Sequence, residues 1–192
     1  MTSNNIPFRF IYVGQLTKRK GVDNLINAIA STRLKKIELW IVGSGPEEKN
    51  LRTLADFVLP QKVKWFGTVP MVKIPSLMRQ SDCLVLASYF DGWGAVISES
   101  LMVGTPVICS NACGASITVK ASGVGSIFPV DNKKALINSL RNQYKKKKLN
   151  LKKRKQIAEW AKCLGASSGA EYLELLITNA KKNLLKAPWK KT

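Results

Sequence analysis

Residues 88 to 110 read SYFDGWGAVISESLMVGTPVICS, and the order of their parts decides the fold. The apolar run Cys83–Ala87 leads in as a strand. Asp91-Gly92-Trp93-Gly94 is a glycine-rich loop, and Ala95, Val96, Ser98, Glu99 and Leu101 read as a helix closed by Gly104 and Pro106. A strand, a glycine loop and a helix start make an anion site. Unpaired amides and the positive end of the helix dipole face the loop, and the glycines let the backbone approach a phosphate closely. Glu99 stands about one turn into the helix, and a helical side chain leans back over the turn before it. Its carboxylate and Asp91 therefore flank one pocket. Two carboxylates beside a phosphate fit a diphosphate with hydroxyl-rich groups at both ends, one carboxylate accepting from a ribose and the other from a sugar. Such a ligand is a nucleotide sugar.

The upstream half repeats the pattern. Phe8–Val13 is a strand-like run ending at Gly14, followed by GQLTKRKG and a helix-period stretch through Val22, Leu25, Ile26, Ala28 and Ile29. Lys18, Arg19 and Lys20 place three cations in that loop. Ile37–Val42 enters Gly43-Ser44-Gly45-Pro46, a polar helix follows from Glu47 to Phe57, and further strands are expected at Val63–Gly67, Val107–Ser110 and Gly125–Val130. Strands and helices alternate through residue 145. That alternation predicts an α/β fold with a doubly wound parallel sheet, helices on both faces and the ligand at the carboxyl ends of the strands.

With 192 residues, 45% of them hydrophobic, the chain has the size of about one domain. We expect a nucleotide-sugar-binding Rossmann-like domain over 1–145, with a basic linker and C-terminal helices over 146–192 packing on it. The expected helices are Gln156–Leu164 and Ala170–Leu185, separated by the SSG of residues 167–169. The stripe Tyr172, Leu173, Leu176, Ile177 and Ala180 reads as core-facing.

Thirty-one Lys and Arg against 12 Asp and Glu give a net charge of +19, more than solubility asks for. Eight of the cations lie in YKKKKLNLKKRK, residues 144 to 155. A solvated lysine-rich linker accounts for them. So does peripheral contact with an anionic membrane, worth about 1 kcal/mol per basic residue near the lipid. A specific nucleic-acid role lacks a recognition motif. No apolar stretch is long enough to span a bilayer, and with four cysteines, no CxxC pair and no histidine the usual zinc sets cannot be completed. A reduced, metal-free protein of the cytoplasm, peripheral at most to the inner face of the membrane, is the expected setting. No GK[ST] or GxGxxG pattern supports a P-loop or a dinucleotide site.

Asp91 and Glu99 stand eight apart, which resembles the Glu-x7-Glu signature of retaining family-4 glycosyltransferases of the GT-B fold, with Asp in place of the first Glu. VGTPVICSNACGA is similar to the helix end, buried strand and glycine turn that follow in that family. The resemblance runs from about Phe8 to Tyr144 and covers the donor-binding half of such an enzyme. It implies donor contacts from Gly14, Gln15, Lys18, Arg19, Lys20, Gly92, Trp93, Gly94, Ala95 and Glu99. Lys20 takes the place of the family's diphosphate lysine. Gln15 stands where the family has an arginine, so Lys18 or Arg19 is the substitute cation. Asp91, Glu99 and Lys20 are the residues of catalytic importance that it implies: Asp91 on the sugar, Glu99 on the ribose, Lys20 on the diphosphate. VKWFG is similar to the strand whose backbone edge receives the nucleobase. No metal or other cofactor is implied beyond the nucleotide sugar.

The acceptor-binding half that the family places before this domain is expected to be missing, along with its cleft histidine. A separated domain, a truncated reading frame and one subunit of a split enzyme all remain open, so a separate acceptor-domain protein is an expected partner. In that case part of the C-terminal stripe is exposed. A non-catalytic nucleotide-sugar-binding subunit is the rival function. An epimerase of the same architecture would need a histidine. Taken alone, GSGP is an ordinary turn, the triple cation a solvated loop and Trp93 a packing residue with its amide near the ligand.

Overall fold

The computed structural model describes residues 6–178 and 187–190. Six strands, β1 (Phe8–Val13), β2 (Ile37–Val42), β3 (Val63–Gly67), β4 (Cys83–Leu86), β5 (Val107–Ser110) and β6 (Gly125–Phe128), form one sheet in the order β3-β2-β1-β4-β5-β6. Every pairing is parallel. β4 and β5 are buried at all four positions, which is why each reads as an unbroken apolar run and not as an alternating one.

Parallel neighbours need crossovers, and helices supply them. α1 (Val22–Thr32) and α2 (Glu48–Val58) link the first three strands, and α6 (Lys133–Lys145), which follows β6, packs on α1. α3 (Ile74–Gln80), α4 (Ala95–Met102) and α5 (Ser116–Ser122) make the second layer, with α4 touching both of its neighbours. The chain winds outward from β1 in one direction and from β4 in the other. Between the carboxyl ends of β1 and β4 this reversal leaves a crevice, the place where open α/β sheets hold ligands.

The C-terminal part departs from expectation in two ways. Residues 151–155 are not linker but the start of a helix expected from Gln156. α7 (Leu151–Trp160) is capped by Asn150, whose side chain accepts from the Lys153 amide at 2.9 Å. It buries Ile157 on the domain, and Arg154 reaches under the sheet to the carbonyls of Arg79 and Ser81. The break also falls earlier than SSG. A short 3-10 turn over Ala161–Leu164 ends at extended Gly165, and α8 (Ala166–Thr178) begins at once, with Ser167, Ser168 and Gly169 inside its first turn. Ser168 Oγ donates back to the Lys162 carbonyl at 3.2 Å, so the serines start this helix and do not interrupt it.

α8 buries none of its residues, and Leu173, Leu176 and Ile177 are exposed. The core-facing expectation for this stripe therefore fails over the described residues. Ala180 and the expected helix end at Leu185 lie outside them. An amphipathic period fixes a face, not the surface that meets it.

Candidate functional site

Three loops meet at the crevice. The loop after β1 closes against the loop after β4 through a ladder: the Tyr89 amide donates to the Arg19 carbonyl at 2.9 Å, and Arg19 Nη1 donates to the Phe90 carbonyl at 2.9 Å. Gly21 makes the approach possible. It sits at φ +60°, and a Cβ there would lie 2.2 Å from the Ala87 carbonyl oxygen. From the other side the turn after β5 grips the same loop. Asp91 N donates to Ala112 O, Gly114 N to Asp91 O and Ala115 N to Trp93 O, at 3.1, 3.1 and 2.7 Å. A Cβ on Gly114 would stand 2.1 Å from the Gly92 carbonyl.

Side chains complete the ladder. Lys20 Nζ donates to Asp91 Oδ2 at 2.5 Å, both side chains being largely buried. Among the described residues Asp91 Oδ1 accepts no hydrogen bond. Below the pair, the buried Tyr12 hydroxyl donates to the Gln15 carbonyl at 2.8 Å and fixes the turn at Gly14. Burial, with the nearby Asp91 carboxylate second, pushes the Tyr12 phenol well above its usual range, so it remains a donor. Gly14 N donates to the Val42 carbonyl, Leu16 N to Ser44 O and Glu47 N to Leu16 O, so the GSGP turn braces this loop.

Gly94 caps α4, whose first residue is Ala95. Among the described residues the amides of Gly92, Trp93, Gly94 and Ala95 donate to no protein acceptor. Four donors at the positive end of a helix, next to a lysine, form an anion cradle.

Glu99 is exposed on α4 and makes no ion pair among the described residues. It borders a cavity of about 290 Å³ shared with Trp93, Ser98, Met102, Tyr172 and Trp189. Trp93 is no core anchor, 47% of it being exposed, and its ring packs against Trp189, the centroids 6.4 Å apart. Flanking glycines lift it off the core. The substitute cations diverge as well. Arg19 is engaged with Phe90, whereas Lys18 lines a separate cavity of about 310 Å³ with Thr17, Asp23, Glu47 and Tyr89. Gln15 is exposed at the loop.

The family profile for glycosyl transferases group 1 matches residues 2–162. The chain belongs to that family. The group 1 chain is 32% identical over 106 residues to a putative teichuronic acid biosynthesis glycosyltransferase, TuaC, of Bacillus subtilis, a match that covers 55% of this chain and 25% of TuaC. It thus spans about a quarter of the length of that relative. The lipopolysaccharide outer core galactosyltransferase WaaB, in its apo form, has the same fold, with a TM-score of 0.80 at 20% identity over 93% of this chain and 51% of WaaB. HepE of Anabaena, solved with UDP-glucose, gives a TM-score of 0.69 at 25% identity over 82% of this chain and 43% of HepE. The group 1 fold thus corresponds to about half of each of these two solved chains.

Sequence reasoning missed Tyr12 and Tyr89 within the matched residues, and Trp189 beyond them. Tyr12 reads as one more apolar strand residue. Its neighbour Gly14, over whose Cα the hydroxyl lies, was the available signal. Trp189 comes from a segment with no local mark of its destination. Cys83 and Cys109 are packing residues, fully buried, and burial pushes both thiols above their usual range.

Proposed function

We propose that this chain is the donor-binding domain of a retaining, family-4 type GT-B glycosyltransferase, the C-terminal half of such an enzyme, acting on a nucleoside-diphosphate sugar. The observation that carries this reading is the crevice itself: at the switch point of the sheet Lys20 is bound to Asp91, and the loop that holds Asp91 runs into four amides without a protein acceptor among the described residues. As the glycosidic bond to the diphosphate breaks, charge grows on the leaving phosphate oxygens. Lys20 and the Gly92–Ala95 amides are preorganised to receive it, in a place where such stabilisation counts most. Asp91 holds Lys20 through Oδ2 and offers Oδ1 to a sugar hydroxyl, while Glu99 accepts from the ribose. β3 is an outermost strand, so its outer backbone edge is open to a nucleobase. The reading assigns no metal or cofactor.

An acceptor-binding partner belongs to the same proposal. Met71 and Val72, 81% and 86% exposed, lie on the turn after β3 at the carboxyl edge, with Phe90 and Trp93 on the loop after β4. An apolar rim of this kind is a place for a second protein surface. Peripheral contact with an anionic membrane on the cytoplasmic side completes the reading.

Thermal unfolding against UDP, GDP, ADP and their sugar conjugates is the test. A nucleotide at about a hundred times its dissociation constant adds roughly 2.7 kcal/mol. We expect one base to give that shift, and Lys20→Ala and Glu99→Ala to abolish it while each variant still unfolds cooperatively. Cooperative unfolding of the wild-type chain with no shift from any nucleotide overturns the donor site. Binding without sugar transfer in the presence of an acceptor-domain protein favours the non-catalytic subunit.

A further inference from the structure

The two edges of the sheet carry different charge. In a doubly wound sheet each helix ends where the next strand begins, so the helix-to-strand joints collect at the amino edge, opposite the crevice. Arg33, Lys35 and Lys36 follow α1, Lys62 follows α2, and Arg79 and Lys120 stand in the last turns of α3 and α5. The polybasic stretch reaches the same edge. Lys148 Nζ donates to the Pro7 carbonyl at 2.8 Å and lies 3.2 Å from Asp82 just before β4, while Arg154 binds the carbonyls beside it. Residues 145 to 155 are thus fixed across the amino ends of the strands, with Lys145, Lys146, Lys147, Lys152, Lys153 and Lys155 exposed.

Few acids oppose them. Glu38 is held by Arg9, Asp82 by Lys148 and Arg154, and Glu159 of α7 by Lys162, leaving Asp56. The carboxyl edge is more mixed, its Lys18, Arg19, Lys20, Lys49, Lys73, Lys133 and Lys134 interspersed with Asp23, Glu47, Glu48, Asp91 and Asp131. Charge is not the whole of the amino edge. Phe57, in the last turn of α2, is 86% exposed, and Leu151, the first residue of α7, is 69% exposed. Between α7 and the start of β6, Val124, Leu149, Ile157 and Trp160 line a cleft of about 340 Å³ with Lys153 among its walls.

We propose that the amino edge of the sheet is the surface on which the chain lies against an anionic phospholipid bilayer, with Phe57 and Leu151 entering the headgroup layer and the donor crevice turned away from the lipid. This rests on the membrane contact proposed above, gives it a face and an orientation, and does not depend on nucleotide binding. Lysines draw the edge to the lipid and exposed apolar side chains hold it there, the two terms of interfacial binding. A nucleic acid is the other polyanion to consider. It would use several aromatic faces for base stacking, and of the exposed rings among the described residues Tyr89, Phe90 and Trp93 are at the opposite edge and Phe57 stands by itself at this one, while Leu151 has no use in stacking. β1 has six residues, so the crevice stands about 20 Å above the bound edge.

Co-sedimentation with phosphatidylcholine vesicles, with and without phosphatidylglycerol, tests this in the absence of nucleotide. The wild-type chain should bind the anionic vesicles alone. Changing Lys145, Lys146, Lys147 and Lys152 together to Gln should cost at least a hundredfold, each charge being worth roughly fivefold at the lipid surface. Phe57→Ser with Leu151→Ser should cost several-fold and leave the salt dependence unchanged. Lys133→Gln with Lys134→Gln, exposed at the opposite edge, should leave binding as it is. Circular dichroism confirms that each variant is folded. No binding to anionic vesicles overturns both the contact and its orientation. An equal loss from the Lys133 and Lys134 pair overturns the orientation alone. Displacement by duplex DNA at equal phosphate, with no effect of the apolar pair, assigns the edge to nucleic acid instead.

Discussion

Asp82→Ala is expected to lower the free energy of unfolding by about 3–5 kcal/mol, the cost of removing one partner from a buried charge cluster. Asp82 is 6% exposed and lies between α3 and β4. It accepts from the Arg9 amide at 2.8 Å, and it stands 3.2 Å from Lys148 Nζ and 3.6 Å from Arg154 Nη2. Burial lowers the Arg154 pKa from the usual arginine value, with Asp82 opposing that shift. Without Asp82 this guanidinium keeps only neutral partners, the carbonyls of Arg79 and Ser81 and the Thr105 hydroxyl. The β1 start and α7 lose their common anchor together. Asp82→Asn keeps an acceptor for the Arg9 amide and should cost less. Urea unfolding reads both, and a loss below about 1 kcal/mol for the alanine variant would show that the cluster is not what holds α7 to the sheet.

Gly21→Ala is expected to weaken nucleotide binding at least tenfold and to destabilise the chain by about 1–3 kcal/mol. The position combines φ +60° with a backbone oxygen 2.2 Å from the new Cβ, and a carbonyl in a loop cannot swing aside as a flexible side chain does. Relief comes only by parting the loops after β1 and β4, which withdraws Lys20 from Asp91 and from the anion cradle. Gly123 supplies the control. It has φ +63° with nothing within 4 Å of its Cβ position, so Gly123→Ala carries the backbone strain alone, about 1 kcal/mol, and leaves binding intact. Calorimetric titration with the nucleotide identified by thermal shift compares the two. Equal affinity in both variants would uncouple the ladder from the site.

The sheet was legible because strands buried on both faces read as continuous apolar runs. β1, β2, β3 and β5 have the bounds that their sequences predict, while β4 and β6 stop one and two residues short of the expected Ala87 and Val130. The first half of α7 was hidden, since residues 152–155 are all cations and too little apolar signal precedes Ile157 to show a period; the helix was expected only from Gln156. The candidate site was legible as a neighbourhood. Spacing brought Asp91 and Glu99 to one loop and helix, but the bond between Lys20 and Asp91 joins residues 71 apart and depends on how two loops close, which no local pattern records. The exposure of Trp93 and its neighbour Trp189 were unreadable for the same reason.

The reversal of the sheet at β1 and β4 also sets the order in which the chain can assemble. Register partners among β1, β2 and β3 lie 24 to 29 residues apart and those among β4, β5 and β6 lie 18 to 23 apart, so each half closes short loops. The joint between halves draws on residues far apart in sequence: β1 and β4 share two register pairs, Phe10 with Cys83 and Ile11 with Leu84, and α6 closes back onto α1. Its rungs, Arg9 to Asp82, Arg19 to Phe90 and Lys20 to Asp91, join residues 71 to 73 apart. The two halves therefore form before the seam between them. In pulse-labelled refolding, the amides of Asp82 and Tyr89, which donate across the seam, should gain protection after those of Leu39 and Asn111, which donate within a half. The crevice is then the last part of the molecule to exist, completed only when both halves have docked.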